Sequence, residues 1–314
     1  MAVVPGKHIA VAGSVNVDLV FSLHRVPHAG ETLAARGFTT HPGGKGGNQA
    51  AAAARLGCPT KLVAQVGRED PQSKMLREAL QGCGVDTGLL KEVDGPCGTA
   101  VILLEEGGDN RIILHGGANM TAWQLDDAAR AAISSAGAVL LQREIPERVN
   151  AEVAQLAQQA GVPVVLDAGG ASTPLSPSLL RCLAVLSPNE TELQGLTGMP
   201  TESEEEIVVA AQVLRGQGVD TVLVKLGARG SLLLDSEGNV WRQEACRVES
   251  VVDTTGAGDC FTAAFAVAIL EGRPYREAMR FASAAAALCI QASGAMPSMP
   301  SRRQVDAALS AAAS

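Results

Sequence analysis

Aromatic residues are scarce in this chain of 314 residues, since Phe, Trp and Tyr together make up 3%. Hydrophobic residues nevertheless make up 46%, so the core must be built mainly from Ala, Val and Leu. Aliphatic side chains of this kind suit helices packed against a sheet. The length is enough for one large domain or two modest ones.

Three further absences narrow the class of protein. No apolar run reaches the roughly 18 residues that a membrane-spanning helix needs. The net charge is −8 without a cluster of Lys or Arg, which disfavours nucleic acid as a partner. No signal or transit peptide is visible before residue 8. We therefore expect a cytoplasmic protein, or a plastid protein if a transit peptide has been removed.

Cysteine and histidine lack the spacings of disulfide or metal frameworks. The seven Cys residues are odd in number and include no C-x-x-C pair, which predicts free thiols in a reducing compartment. The five His residues are scattered and form no H-E-x-x-H pattern. We therefore expect no zinc site.

Short apolar runs alternate with amphipathic ones along the chain. The predicted strands are 8–13, 60–66, 137–142, 162–167, 183–187, 219–225 and 229–235. The predicted helices are 46–56, 71–82, 124–135, 147–160, 189–196, 203–216, 257–271 and 275–292, with a short last helix over 302–314. Strands too apolar for a half-exposed sheet predict an α/β fold, with a mostly parallel central sheet covered by helices on both faces.

Two segments, at about 31–41 and 97–115, break this alternation. They indicate strands with polar turns, such as 105–110, and no helix separates them from their neighbours. We interpret them as a small antiparallel β lid inserted into a single domain over 1–314, because a lid can keep water away from a reaction. The alternative is an ordinary pair of surface hairpins.

The most informative stretch runs from Asp253 to Asp259. Small residues separate its two acids, and an Ala-rich helix is predicted from Phe261 onwards. The backbone N–H groups around Gly256, Ala257 and Gly258 would then lie at a helix N-terminus and form an anion hole. A carboxylate repels a bound phosphate, so Asp259 needs another role, and a general base for an attacking hydroxyl is the natural one.

A glycine-rich segment, Gly43–Asn48, precedes the helix through Ala50–Arg55. Four glycines in five positions indicate a loop whose backbone comes close to something, with Lys45 as a cation and Asn48 as a bifunctional amide. It matches neither G-x-G-x-x-G nor the P-loop pattern. The alternative is a flexible linker.

Polar residues follow two of the predicted strands, at the edge where ligands bind in open α/β sheets. Asn16 and Asp18 alternate, so in an extended chain they point the same way and can hold neighbouring hydroxyls of a polyol. Glu144 can accept a bond from a substrate hydroxyl. The alternatives are a turn at 13–18 and an ordinary helix start at Glu144.

Two later motifs have both a local and a functional interpretation. Asn189 and Glu192 are spaced as a capping box, or as a pair that orders Mg²⁺ and its waters. Residues 225–230 indicate a hairpin turn, which can also border a nucleotide.

The order of these motifs resembles that of the ribokinase-like sugar kinases, the PfkB family, over nearly the whole chain. The stretch Asp253–Asp259 is identical to a common form of the C-terminal family motif, and residues 43–50 with 55–57 resemble the N-terminal motif. Asn16 with Asp18, the Lys45 segment, residues 116–119, and Gln142 with Glu144 resemble the members that phosphorylate ribose.

The resemblance implies roles for individual residues. The ribose-binding set would be Asn16, Asp18, Gly44, Lys45, Gly46, Gly47, Asn48, Glu144 and Asp259. The nucleotide-binding set would be Asn189, Lys225, Leu226, Gly227, Ala228, Arg229, Gly230, Gly258, Asp259 and Ser283. Asn189 and Glu192 would organise Mg²⁺. A K⁺ activator would be held, mostly through carbonyl oxygens, by Asp253, Thr255, Cys289, Ala292, Gly294 and Ser298.

The resemblance also implies the reaction, which is transfer of a phosphoryl group from ATP to O5 of D-ribose with Asp259 as base and Lys45 or Arg229 near the phosphates. A homodimer through the lid is expected. Asp167–Gly170 and Arg143 depart from the common family pattern and bear on the identity of the sugar. The alternatives are a fructokinase-like or adenosine kinase-like enzyme, although few aromatic rings are present to stack on a nucleoside. A catalytically silent sugar-binding relative is a further alternative.

Overall fold

The computed structural model describes residues 7–106, 110–171 and 173–311. Its strands, in chain order, are β1 (Ile9–Ala12), β2 (Asn16–Leu23), β3 (Gly37–Gly43), β4 (Thr60–Gly67), β5 (Leu90–Val93), β6 (Gly98–Glu105), β7 (Asn110–His115), β8 (Ala138–Leu141), β9 (Val164–Asp167), β10 (Val185–Ser187), β11 (Thr221–Lys225), β12 (Ser231–Leu234) and β13 (Val240–Gln243). Its α-helices are α1 (Lys45–Arg55), α2 (Gln72–Gly82), α3 (Asp127–Ser134), α4 (Glu147–Gln159), α5 (Pro177–Leu180), α6 (Glu190–Thr197), α7 (Glu204–Gly216), α8 (Ala257–Leu270), α9 (Tyr275–Cys289) and α10 (Arg302–Ala311).

Nine strands form the central sheet in the order β13-β12-β11-β10-β9-β8-β1-β4-β5. The strands from β11 to β5 pair in parallel, whereas β12 and β13 add antiparallel pairs at one edge. Alternate residues of β1 enter different cores, since Val11 packs with one cluster and Ala10 with the other. Helices therefore cover both faces, as the apolar strands predict.

The predicted strands and helices of this sheet are confirmed, with ends shifted by a few residues. The helix expected from residue 124 begins at Asp127, because the Asp126 side chain accepts a bond from the Ala129 N–H and caps it. Strands β5 and β13 and the one-turn helix α5 are additional. Strand β13 carries the mixed sequence VWRQ, which lacks the apolar run used to predict strands.

The lid is a second sheet of four strands in the order β3-β2-β6-β7. The predicted antiparallel pairing is confirmed for its two outer pairs, but the central strands β2 and β6 run in parallel. The turn interpretation of residues 13–18 is wrong from Asn16 onwards, because these residues begin β2. Residues 31–36 belong to no strand, and the strand of that segment begins at Gly37. Residues 107–109 of the predicted polar turn lie outside the described residues.

The last helix, α10, is confirmed over Arg302–Ala311, and residues 312–314 of the prediction lie outside the described part of the chain. No helix within that part is long and apolar enough to cross a membrane.

Candidate active site

The anion-hole segment forms the start of α8. Gly256 caps this helix with a φ of 81°, and a Cβ there would lie 2.9 Å from Ala295 Cβ, so the position requires glycine. The Ala257 N–H donates to Thr254 O at 3.2 Å, and Cys260 makes the bond to Gly256 O at 2.8 Å. The amide of Ala257, predicted to belong to the anion hole, is thus used within the turn. The amides of Gly258 and Asp259 precede the first intrahelical donor and can serve an anion.

Asp259 is buried in the first turn of α8, with 4% of its surface exposed. Its Oδ2 accepts a bond from Asn48 Nδ2 at 3.0 Å, and its Oδ1 accepts one from Gln49 Nε2 at 3.2 Å. Lys45 Nζ lies 3.9 Å from Oδ1. Burial, followed by the negative charge of Asp167, raises the pKa of Asp259 against the opposing effect of Lys45. A buried carboxylate with a raised pKa suits a general base.

Glu144 joins three elements at the carboxyl edge of the sheet. Its Oε2 accepts bonds from Ser14 Oγ at 2.7 Å, the Lys45 N–H at 3.1 Å and Asn16 Nδ2 at 3.5 Å. These donors follow β1, open α1 and open β2. Glu144 therefore ties together the end of β1 and the starts of α1 and β2, and it lies beside Asn16 and Lys45 of the predicted acceptor set.

The glycine-rich segment is largely helical rather than a loop, because α1 begins at Lys45, one residue before the start of the predicted helix 46–56. The Gly46 N–H donates to Ser14 Oγ at 3.3 Å, and the Gly47 N–H donates to Ser14 O at 2.8 Å. A Cβ on Gly46 would lie 2.6 Å from the carbonyl carbon of Gly13. The close approach inferred from the glycines is therefore an approach of α1 to the chain after β1, which places Lys45 and Asn48 beside Asp259.

Asn16 and Asp18 lie on the same face of β2, as their alternation predicts. Asn16 Oδ1 accepts a bond of 2.7 Å from Asn119 Nδ2. Burial, followed by the negative charges of Glu144 and Asp259, raises the pKa of Asp18 to about 7. Asn16, Asp18 and Glu144 therefore bring amide and carboxylate groups close together, a set that suits a compound with several hydroxyls.

Two lysines flank the buried carboxylate of Asp167. Lys225 Nζ donates to its Oδ2 at 2.6 Å, and Thr262 Oγ1 donates to the same oxygen at 2.7 Å. Burial opposes ionisation of Asp167, but the charges of Lys225 and Lys45 and these hydrogen bonds hold its pKa below the usual value. A Cβ on Gly258 would lie 3.7 Å from Lys225 Nζ, so this ammonium group borders the anion hole.

Comparison with known proteins assigns the family. The model of the pfkB family carbohydrate kinases matches residues 7–302. The chain belongs to this family. It is 49% identical over 302 residues to the ribokinase of Arabidopsis thaliana, covering 95% of this chain and 79% of that protein. It is 38% identical over 308 residues to the ribokinase of Bacillus subtilis, and the match covers 97% of this chain and 100% of that protein.

A solved structure supports the same assignment. The structure of Arabidopsis thaliana ribokinase complexed with ribose and ATP matches this carbohydrate kinase with a TM-score of 0.92 at 48% identity, covering 96% of this chain and 98% of that chain. The predicted family, α/β fold and kinase class are confirmed.

The predicted nucleotide positions of this carbohydrate kinase lie at the start of α6, in residues 225–230, at the start of α8 and in α9. Residues 227–229 form a tight turn between β11 and β12, which confirms the predicted hairpin. The Arg229 side chain pairs with Glu190 at the start of α6 and donates to Glu202 O at 3.2 Å. The Ser283 hydroxyl accepts a bond from the Cys246 N–H at 3.1 Å, so it supports the segment before the C-terminal motif.

The capping-box interpretation of Asn189 and Glu192 is confirmed. Asn189 Oδ1 accepts from the Glu192 N–H, and Glu192 Oε2 accepts from the Asn189 N–H, both at 2.8 Å. One carboxylate oxygen of Glu192 is not used by this box. The residue lines a cavity with Arg143 and Gly170. The cap therefore fixes the orientation of Glu192 and leaves one of its carboxylate oxygens outside the box.

Two loops of the predicted K⁺ site meet behind the anion hole. Asp253 Oδ1 accepts from the Thr255 N–H and Oδ2 accepts from the Gly294 N–H, both at 2.9 Å. Cys289 Sγ lies 3.0 Å from Ser298 Oγ. The carboxylate of Asp253 thus ties the anion-hole loop to residues 290–298.

Sequence reasoning did not assign roles to Ser14, Gln49, Asn119 or Asp167, which hold the predicted residues in place. Asp167 stood out only as a departure from the family pattern, and Asn119 only as part of a resemblance. A polar residue within an otherwise Ala-rich buried helix is the signal that could have found Gln49.

Proposed function

We propose that this carbohydrate kinase transfers the γ-phosphoryl group of ATP to O5 of D-ribose. The observation that carries the proposal is the buried carboxylate of Asp259, which lies at the anion hole of α8 and beside the acceptor pocket of Asn16, Asp18 and Glu144. Two relatives that are ribokinases, and the complex of one of them with ribose and ATP, support the same substrates.

In the proposed mechanism, Asp259 accepts the proton of the attacking hydroxyl as its oxygen approaches the γ-phosphorus. Asn48 and Gln49 orient the carboxylate, so one of its remaining lone pairs can face the sugar. The N-terminus of α8 and Lys225 stabilise the charge on the transferring group. Positioning and electrostatics supply most of the catalysis in phosphoryl transfer.

The residues at the start of α6 fit a role toward Mg²⁺. Hard cations take oxygen ligands and often keep several waters, and Glu192 has an oxygen outside its capping box. We propose that Asn189 and Glu192 orient magnesium-bound water. Bound Mg²⁺ would neutralise charge on the phosphates of ATP.

The two loops joined by Asp253 fit a monovalent cation. The predicted ligands at Thr255, Ala292 and Gly294 would contribute main-chain oxygens, and the bonds of Asp253 bring their segments together. We propose that K⁺ bound there would stiffen the loop that forms the anion hole.

A panel of phosphoryl acceptors tests the proposed substrate. With ATP, Mg²⁺ and K⁺ present, we expect kcat/KM for D-ribose to exceed that for 2-deoxyribose, fructose and adenosine by about tenfold or more. The position of the phosphate in the product is read by NMR. Equal use of all acceptors, or a preference for fructose or adenosine, would contradict the ribose assignment.

We also propose a homodimer that forms through the lid. Phe38 and Ile113 are 55% and 63% exposed although both lie in lid strands. The ring centroids of Phe38 and Phe21 are 4.9 Å apart, so an apolar patch extends across two strands. A second lid can cover such a patch.

A further inference from the structure

A chain of buried amides lies behind the carboxylate of Asp259. Gln142 Nε2 donates to Gln49 Oε1 at 2.7 Å, and Gln49 Nε2 donates to Asp259 Oδ1 at 3.2 Å. Both glutamines have no exposed surface, at 0%. Gln142 follows β8 and Gln49 lies in α1, so two elements converge on the start of α8. We call Gln142 and Gln49 the amide relay.

The relay has a direction. Each amide presents its N–H end toward Asp259 and its carbonyl end away from it, so the two dipoles add. Hydrogen bonds in such chains polarise one another and are stronger in a low-dielectric interior. Donation to a carboxylate favours its ionised form. Burial and the charges of Asp167 and Glu144 disfavour the ionised form of Asp259. The relay acts against them, together with the charge of Lys45 and the hydrogen bond from Asn48.

The surrounding structure accommodates the relay at a cost. A Cβ on Gly13 would lie 2.0 Å from Gln142 Oε1, so Gly13 must remain glycine for Gln142 to adopt this position. Gln142 Oε1 is buried and has no hydrogen-bond partner in the described residues. A buried polar atom without a hydrogen-bond partner destabilises a fold. An apolar side chain would avoid that cost, so packing alone does not account for a glutamine.

The backbone of Gln142 is also fixed. Asn150 Nδ2, buried at the start of α4, donates to Gln142 O at 2.6 Å. The relay is thus anchored at the end remote from Asp259. Gln142 lies two residues before Glu144, so the chain at the end of β8 supports both the base and the acceptor site.

We propose that Gln142 and Gln49 are positioning residues that orient the Asp259 carboxylate and keep it ready to accept a proton. Gln49 acts on Asp259 directly, and Gln142 acts through Gln49. The inference rests on the proposed role of Asp259 as the base.

Replacement of the relay by apolar residues tests the proposal. Gln49→Leu should lower kcat at pH 7 by roughly tenfold, the low end of the scale of general base catalysis, with KM for ribose changed by less than about threefold. Because a donor to the carboxylate is lost, the acidic limb of the kcat/KM profile should move up by about one pH unit. Gln142→Leu should produce a smaller shift in the same direction.

The double variant decides whether the two residues form one unit. If Gln142 acts through Gln49, the double variant should match Gln49→Leu within about twofold, because the second change removes nothing further. Multiplied effects in the double variant would overturn the relay. A rise in KM without any shift of the pH profile would also overturn it, since that is the result of a merely structural role.

Two further variants control for misfolding and for the loss of a buried glutamine elsewhere. Gln49→Glu keeps the size of the side chain and brings a second carboxyl group to Asp259, so it should shift the acidic limb upward even if the leucine variant folds poorly. Gln65→Leu removes a buried glutamine of β4 that bonds Thr121 instead, and it should leave the limb unchanged. If Asp259→Asn is inactive while Gln49→Leu and Gln49→Glu keep the wild-type profile, the relay fails and the base assignment stands.

Discussion

Asp259 combines the burial of a core residue with the bonds of an oriented carboxylate. Asparagine at this position keeps the size and can accept from Gln49, but it cannot accept a proton from the sugar. We expect Asp259→Asn to bind ribose and ATP within a few fold of wild type while kcat falls by about 10²-fold or more. Calorimetric titration and initial rates measure the two quantities.

A variant with a nearby amide change controls for this result. Asn150→Ala removes a buried amide that bonds the backbone of Gln142 rather than Asp259. It should lose stability without a comparable fall in kcat. Turnover of Asp259→Asn close to wild type would refute the assignment of the base.

Ionisation of the buried Asp18 destabilises the folded protein at high pH. Its pKa of about 7 lies above the ordinary value of 3.8, so the folded protein binds this proton more tightly than the unfolded chain. Its contribution to the free energy of unfolding therefore falls as pH rises from about 4 to 7. We expect Asp18→Asn to stabilise the protein at pH 8 on the order of 2–4 kcal/mol, with a smaller gain at pH 5. Urea unfolding at both pH values measures this.

Asp235 serves as the control, because it is a carboxylate whose pKa is shifted in the opposite direction to that of Asp18. Burial opposes its ionisation, but hydrogen bonds from Trp241 and Asn239 hold its pKa below the usual value. Asp235→Asn should therefore destabilise the protein by similar amounts at pH 5 and pH 8. If Asp18→Asn behaves in that way too, the raised pKa of Asp18 is wrong.

Helix α1 depends on glycine for its position rather than for its flexibility. A Cβ on Gly46 would lie 2.6 Å from Ser14 N and Gly13 C, both backbone atoms that cannot move aside cheaply. We expect Gly46→Ala to displace α1 and to lower kcat/KM by at least about tenfold, because Lys45 and Asn48 move with the helix. Kinetics and thermal unfolding of the variant check this.

Gly82 is the comparison for that experiment. It lies in α2, is exposed, and a Cβ there would meet nothing within 4 Å. Gly82→Ala should retain full activity and raise stability slightly, since alanine is favoured over glycine in helices by up to about 1 kcal/mol. Equal activity of the two alanine variants would contradict the role assigned to Gly46.

The loop pair joined by Asp253 predicts a dependence on monovalent cations. Asp253→Ala removes the bonds to the amides of Thr255 and Gly294. We expect activation by K⁺ to be lost or reduced at least fivefold in this variant, as measured by initial rates over a range of K⁺ concentrations at constant ionic strength. Asp306→Ala, on the exposed face of α10, should keep the wild-type response. No activation of the wild-type protein by K⁺ would contradict the site.

Elements with a continuous apolar run or a helical period could be predicted from the sequence. Strands that form only because neighbouring strands pair with them could not. Strands β1, β8 and β9 are apolar on both faces, so their sequences carry the signal directly. Strand β2 opens with Asn16 and Asp18 and resembles a turn. It becomes a strand because β3 and β6 pair with it over its length.

In the whole molecule, the carboxyl edge of the sheet gathers groups that lie far apart in sequence. The motif order predicted that Asp18, Lys45, Glu144 and Asp259 would share a site, and the structure brings them together. The supporting bonds could not be predicted, because Gln142 contacts Gln49 only through the packing of β8 against α1. Side-chain pairs of this kind depend on tertiary geometry and leave no periodic pattern.

The lid patch predicts the assembly of the molecule. Ile113 pairs with Val101 across β6 and β7, and Phe38 pairs with Phe21 across β2 and β3. Since Val101 lies opposite Leu19, two residues from Phe21 on β2, these side chains share one face of the lid. We expect a dimer at micromolar concentration by sedimentation velocity. Ile113→Glu should dissociate it, because a charge buried between two lids would be unpaired.

A second exposed apolar residue separates loss of the interface from a general effect of charge. Val209 is exposed on α7, away from the lid sheet, so Val209→Glu should remain dimeric. The lid also carries Asp18, so separation of the two lids should raise KM for ribose more than it lowers kcat. A wild-type monomer, or a dimer that survives both Ile113→Glu and Phe38→Glu, would place the interface elsewhere.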